Sequence, residues 1–324
     1  MNRRIKILVL FLLPIASIAQ IKGFNIGLHL PGEIPSNSTA IESRIRDMKE
    51  LGSDWVRIDV TLESILNYEK NKNYKALDSY IHALVKENIS VIVQVRGFNR
   101  GNHYLLKNGK TEGIDLQKFI RRYPPVKYWQ LENEIMSNKF WEGSLDDYAG
   151  LLKEFYHIVK SSGNDKFVIF AGISSNFLES SIGLNKKIEY DFSLEDYFKK
   201  NAGYYDIVDL HLYHNPATIP EKISLVRKFS SKPIISTEIG GPDIRSRDVN
   251  KMKDKDYYSE VYNRIYNCYK NGLSLVLWHS LNSNNRDYKK PGHHMALKNM
   301  NKPNIKYYIL KEIISKKEIL FPTD

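Results

Sequence analysis

The sequence predicts an α/β protein built as a single (β/α)8 TIM barrel. Three observations carry that prediction. Short β-branched runs alternate with longer amphipathic segments, and the alternation occurs eight times. The runs are largely apolar, as strands of a parallel sheet covered by helices must be. The eight units use up the chain and leave nothing for a second domain. The alternative is an open doubly wound sheet. No Gly-rich phosphate loop follows any run, which argues against a nucleotide-binding version of it.

The units read in order as follows. "GFNIGLHL" (23–30) is the first strand, and "STAIESRIRDMKELG" is its helix, with Ser38 as the candidate cap and Gly52 as the stop. "DWVRIDV" (54–60) precedes the helix "YKALDSYIHALVKEN" (74–88). "ISVIVQV" (89–95) precedes the short helix in "GIDLQKFIRRY". "VKYWQLENE" (126–134) is the fourth strand, followed by the clearest helix, "SLDDYAGLLKEFYHIVKSSG", with a Ser cap and a Gly end. "KFVIFAGIS" and "SLEDYFKKNAG" make the fifth unit, and "YDIVDLHLYH" and "PEKISLVRKFSS" the sixth. "KPIISTEIGG" and "DKDYYSEVYNRIYNCYKNG" make the seventh. "LSLVLWHSL" is the eighth strand, closed by "KPNIKYYILKEIISKK".

The N-terminus reads differently. Arg3, Arg4 and Lys6 precede the apolar run "ILVLFLLPIASI", and Ser17 and Ala19 carry the small-residue spacing of a signal-peptidase site. Residues 1–19 are therefore expected to be a signal peptide cut after Ala19, leaving a barrel domain of residues 20–324 in a secreted or periplasmic protein. The alternative is an uncleaved N-terminal anchor. No Cys follows the run, which excludes a lipoprotein anchor, and no other apolar stretch is long enough to span a membrane. Cys268 is the sole cysteine, so no intrachain disulfide forms. It reads as a small buried apolar residue in a helix.

The formal charge is +11, and losing Arg3, Arg4 and Lys6 leaves +8. The bases lie in scattered pairs such as Lys186-Lys187 and Lys199-Lys200, the pattern of a solvated surface. Without a basic run interleaved with aromatics, zinc-ligand spacing or a helix-turn-helix signal, nucleic acid is not an expected partner. Oligomeric state is left open.

In a barrel of this kind the site lies at the C-terminal ends of the strands. Polar residues collect there: Arg57 and Asp59 on the second strand, Glu132-Asn133-Glu134 on the fourth, His211, Tyr213 and His214 on the sixth. Thr237-Glu238 end the seventh and Trp278-His279 the eighth. Glu134 and Glu238 end strands three apart, so both can lean across the mouth. Two facing carboxylates suit glycoside hydrolysis, in which one protonates the departing oxygen and the other attacks the anomeric carbon from about 5–5.5 Å away. Once one is ionised, the other tends to keep its proton.

"WQLENEI" with "IISTEIG" resembles the retaining glycoside hydrolases of clan A, marked by an Asn-Glu pair ending strand four and a second Glu ending strand seven. "VRIDV", "DLHLYH", "LVLWHSL" and the Lys-Pro start of the last helix in "ALKNMNKPNIKYYILKEI" extend the resemblance over the mature chain. It implies Glu134 as general acid/base and Glu238 as nucleophile. It also implies Asn133 on the sugar 2-hydroxyl, Arg57 and Tyr213 holding Glu238 ionised, Trp278 as the floor of the first sugar subsite, and His211 as a substrate contact or support. The implied substrate is a β-linked poly- or oligosaccharide, with no cofactor. Two departures stand out: no proline follows "ENEI", and Asp59 occupies a position where cellulase-like members often have proline.

Other residues keep two readings. Period two places Glu132 about 6.6 Å below Glu134 on the same side, and the expectation is a salt bridge to Arg57 or Arg96 inside the barrel. Arg57 serves either that pair or Glu238. Trp129 is expected in the core. Trp141 is either a sugar-stacking platform or a packing residue at a helix start. His211 and His214 are read as structural or substrate-contacting, the alternative being metal ligands. His293 and His294 sit in a polar loop near the mouth. The rival functions are a non-catalytic carbohydrate-binding barrel and a metal-dependent barrel hydrolase.

Overall fold

The computed structural model describes residues 21–32, 34–97, 110–111, 114–185, 190–243, 245, 248, 251–283 and 295–322. The expected signal segment, and His293 and His294, lie outside the described residues. The eight expected barrel strands are present: β1 (Asn25–Leu30), β2 (Trp55–Thr61), β3 (Ser90–Arg96), β4 (Tyr128–Leu131), β5 (Phe167–Ile169), β6 (Val208–Leu212), β7 (Ile234–Ile239) and β8 (Leu275–His279). They pair in parallel in the order β5-β4-β3-β2-β1-β8-β7-β6. Single bridges Ile169–Ile207 and Ile173–Leu210 carry the ladder from β5 to β6. The result is a nearly closed (β/α)8 barrel.

The helices follow from cap and pattern. Helix α1 (Ser38–Leu51) starts one residue earlier than expected, because the Asn37 side chain accepts from the Ala40 amide at 2.9 Å. Its end is Gly52 at φ 81°, as expected. Helices α2 (Leu62–Asn71) and α3 (Lys75–Lys86) both follow β2. The sequence reading missed α2, although Thr61 ends β2 and caps α2 with one side chain. After α4 (Leu116–Arg121), α5 (Leu145–Ser161) opens on a reciprocal Ser144–Asp147 cap. Then come α6 (Ser175–Ser181), α7 (Leu194–Lys200), α8 (Ile219–Arg227), α9 (Asp254–Lys270), α10 (Ile305–Ser315) and α11 (Lys317–Leu320). No helix among the described residues is long and apolar enough to cross a membrane.

Two apolar clusters form the core. The larger lies between strands and helices. The smaller (Trp55, Ile92, Ile169, Ile207, Ile235, Leu275 and Leu277 among it) plugs the barrel. Above that plug the interior turns polar. Register explains how: His29 pairs with Arg57 and with His279, Asp59 with Gln94, and Gln94 with Gln130. Inward positions of adjacent strands thus line up in rows, so polar residues two apart in sequence stack as polar layers.

Gly27 sits where β1, β2 and β8 crowd together. A Cβ there would meet the Trp55 carbonyl oxygen at 2.4 Å and Leu277 Cδ2 at 2.7 Å. Backbone cannot yield as a side-chain tip can. Gly27→Ala should therefore cost about 1–3 kcal/mol, read as a lower urea midpoint with an unchanged m-value.

Candidate active site

The fourth strand stops early. β4 ends at Leu131, and Glu132 (φ 57°) and Glu134 (φ 36°) lie in the left-handed region on either side of Asn133. Such backbone in non-glycine residues is costly and persists only where surrounding contacts hold it. Here Gln94 does so: its amide group donates to the Glu132 carbonyl at 2.8 Å and to Asn133 Oδ1 at 3.2 Å. The expected strand spacing of Glu132 and Glu134 is thereby overturned. Glu132, buried, turns aside and accepts from the Gly97 amide at 2.8 Å. Gly97 has φ 98° and so presents that amide without strain. The two arginines expected beside it turn elsewhere: Arg57 pairs with Glu238 and Asp59, and Arg96 with Asp59.

Glu238 reaches the interior through an irregularity in β7. Asp209 of β6 faces Ile235, but His211 faces Glu238, so β7 carries one extra residue. The bulge lets consecutive Thr237 and Glu238 both serve the site. Glu238 Oε1 accepts from Arg57 Nη2 at 3.0 Å and lies 3.5 Å from His29 Nδ1, while Oε2 accepts from the Tyr213 hydroxyl at 2.5 Å. Burial alone would raise this carboxyl, but the charges of His211 and Arg57 outweigh it and hold Glu238 well below the usual range.

Arg57, 1% exposed, joins four strands. Nη2 also donates to Gln94 at 2.9 Å and Asn133 Oδ1 at 3.1 Å, and Nη1 donates to the Thr237 hydroxyl. Burial works against its charge, and Glu238, Asp59 and Asp209 outweigh it, raising its pKa. Beneath, buried Asp209 accepts from the Thr237 amide at 2.7 Å and from Gln130 at 2.6 Å.

Glu134 is partly exposed, and its Oε1 lies 2.6 Å from His211 Nδ1. His211 is fully buried. Burial pushes its imidazole down, but Glu238, Asp209 and Glu134 raise it to about 10. Gly172 makes room: a Cβ there would lie 2.0 Å from His211 Nε2. A ligand-sized oxygen from each of Glu134 and Glu238 falls within 4.8 Å of the other, with His211 between. A cleft of about 860 Å³ opens on the Glu134 side, lined by the loops after β4, β5 and β6, with Tyr190, Phe192 and Tyr213 among its walls.

The loop after β6 is braced from behind. His214 (φ 65°) lies with Nδ1 3.0 Å from buried Glu179, which also accepts from Lys222 at 3.0 Å and from Arg245. His211 and His214 therefore face different carboxylates, and among the described residues no converging set of metal-type ligands contains both.

Two tryptophans are corrected. Trp141 is 2% exposed, donates from Nε1 to the Ser144 carbonyl at 3.1 Å and packs edge-on against Tyr148. With its faces covered it serves the packing reading and not the platform. Trp129 lies in the core as expected. Trp278 is fully buried on the helix side of β8 with Val276, donating from Nε1 to the Met295 carbonyl at 2.8 Å. It cannot floor a sugar subsite. The inward residue is His279, which follows Leu275 and Leu277 by period two. Its Nδ1 lies 2.9 Å from His29 Nδ1 and its ring is edge-on to Tyr213. Burial pushes His279 down to about 4. His29 Nε2 meets Asp59 at 3.1 Å. The sequence reading placed His279 at the mouth without giving it a role, and passed over Gln94 and Gly172. Strict alternation along "LVLWH" is the signal that finds His279.

No protein-family model matches the chain, and no curated protein matches it. Solved structures do. A family 39 glycoside hydrolase from Bacteroides cellulosilyticus WH2 superposes with a TM-score of 0.64 at 14% identity over 92% of this chain, which spans 64% of that protein's length. Xylanase 10B from Thermotoga petrophila RKU-1 gives 0.62 at 14% identity, covering 91% of this chain and 95% of that one. An endo-1,4-beta-mannanase from Rhizomucor miehei gives 0.57 at 13%, covering 91% and 95%.

The His211 shift gives a check on this geometry. Its folded value lies above the unfolded value of about 6.5. Its contribution to stability is therefore complete below about pH 6.5 and lost as pH rises through about 10. NMR of the ring carbons should show one imidazole still protonated at pH 8. In Gly172→Ala, which displaces that ring, the signal should titrate near the ordinary histidine range. At these identities the superpositions show the fold that this chain shares with those enzymes, a (β/α)8 barrel.

Proposed function

We propose that the chain is a retaining β-glycoside hydrolase of clan A that cleaves β-linked poly- or oligosaccharides. The observation that carries this reading is the pair of carboxylates at the ends of β4 and β7, one oxygen of each within 4.8 Å of the other. That closeness suits direct attack, for which the two carboxyl groups lie about 5–5.5 Å apart, better than inversion, for which they lie about 6.5–9.5 Å apart. The environments also differ as the chemistry requires: Glu238 is buried and bonded by Arg57 and Tyr213, whereas Glu134 borders the open cleft. The resemblance of the sequence motifs and the barrel shared with a xylanase and a mannanase support the same reading.

In the first step Glu238 attacks the anomeric carbon as the bond to the leaving oxygen breaks, and Glu134 gives that oxygen a proton. In the second, Glu134 takes a proton from water, whose oxygen attacks the anomeric carbon and releases Glu238. Asn133, its Oδ1 fixed by Arg57 and Gln94, keeps its NH2 group to donate to the sugar 2-hydroxyl. His211 sits against the Glu134 oxygen and steadies the anion left after protonation. The cleft on the Glu134 side takes the departing saccharide.

Glu238→Ala should abolish turnover of β-linked polysaccharides, and azide should restore it with inversion at the anomeric carbon. Glu134→Ala should lose about 10²–10⁴-fold on substrates with poor leaving groups and far less on aryl glycosides with good ones. Saturable glycan binding by wild type and Glu238→Ala alike, without product from either, would establish the carbohydrate-binding barrel instead. We further propose export with cleavage after Ala19. Mass spectrometry of the exported protein should find Gln20 at the N-terminus, and an intact Met1 would overturn it.

A further inference from the structure

We propose that His29, His279 and Glu238 form a binding site for one divalent transition-metal ion of the zinc class, and that an ion bound there blocks the nucleophilic carboxylate. One ligand-type atom from each of the three lies within 4.8 Å of the others. His29 Nδ1 is 2.9 Å from His279 Nδ1 and 3.5 Å from Glu238 Oε1. Two ligands of a tetrahedral zinc ion, each about 2.0–2.1 Å from the metal, lie about 3.3–3.4 Å apart. Small ring movements reach that spacing. Two imidazoles and one carboxylate suit zinc, cobalt, nickel and copper, and suit magnesium and calcium poorly.

The support behind the donors fits as well. His29 Nε2 lies 3.1 Å from the buried Asp59 carboxylate. A proton on Nε2 leaves Nδ1 with its lone pair aimed at His279. That is the carboxylate–histidine–metal arrangement that fixes ring orientation and strengthens a ligand. Asp59 also faces Arg57 and Arg96, so its charge stays in place. Glu238 Oε1 keeps a second lone pair beside Arg57, and Oε2 remains with Tyr213. His279 is half-buried, so the three donors are not sealed from solvent. Binding displaces the proton held between the two imidazoles into solvent.

The other converging trio, Glu134, His211 and Glu238, makes a poorer site. His211 Nδ1 is engaged by Glu134 and its Nε2 faces Asp209 at 3.5 Å. A ring clasped between carboxylates carries protons on both nitrogens and offers no lone pair.

The test is direct titration of the protein with Co²⁺, followed by its visible absorption, and displacement by Zn²⁺. The expected result is one ion per chain with tetrahedral-type bands that vanish on adding zinc. His279→Gln should weaken binding at least about 10-fold, and Asp59→Asn about 10–100-fold. His279 is partly exposed, so its variant carries the test if His29→Ala fails to fold. Absence of stoichiometric binding, or affinity unchanged in His279→Gln, overturns the site. Binding is read without substrate, so it stands or falls separately from the proposed hydrolysis. Where hydrolysis is measured, zinc should suppress it and a chelator should restore it.

Discussion

The site hangs on the burial of one guanidinium. Taking Arg57 out of water costs several kcal/mol, which only well-placed acceptors offset. The barrel supplies them from four other positions: Gln94 on β3, Asn133 after β4, and Thr237 and Glu238 on β7, with Asp59 close on its own strand. Each acceptor is thereby fixed in place. Asn133 has its Oδ1 fixed, Glu238 is kept ionised, and Gln94 is oriented to hold the strained turn that carries Glu134. The cation acts on both carboxylates, touching one and placing the other through the backbone.

That arrangement also sorts the two carboxyl groups. Glu238 is surrounded by donors and a fixed positive charge. Glu134 shares an oxygen with His211 and opens on a wide cleft. Barrels of this kind host many chemistries, and fold likeness at 13–14% identity does not choose among them. What chooses is the difference between these two environments, set by particular side chains within a few ångströms.

Much of this was legible in the sequence. Eight apolar runs alternating with helices, and polar residues gathered at the run ends, gave the barrel and the mouth. Arg57, Asn133, Glu134, His211, Tyr213 and Glu238 all meet there, as their strand positions implied. The errors share a cause. A face assignment flips with a shift of one residue, and single-residue irregularities depend on distant contacts. Positive φ at Glu132 and Glu134 is enforced by Gln94, from another strand. The extra residue in β7 is visible only against β6. Trp278 was assigned to the site by resemblance, although alternation along its own strand places it outside and His279 inside. Trp141 keeps two readings from sequence, platform or packing, because no pattern in the sequence reveals Tyr148 packed against it.

The polar layer has a consequence for how the chain reaches this state. The Arg57–Thr237 and Arg57–Glu238 bonds join residues 180 and 181 apart. Loop closure over such distances must precede any reward from the contacts it makes. The apolar plug and the strand–helix units can gather locally, but the guanidinium finds its full set of acceptors only once β7 meets β2 across the interior. Until then it stays hydrated, and its partners with it. The full set of acceptors around Arg57 therefore exists only where β2 and β7 face one another across a closed barrel, so the site and the closure of the barrel depend on each other.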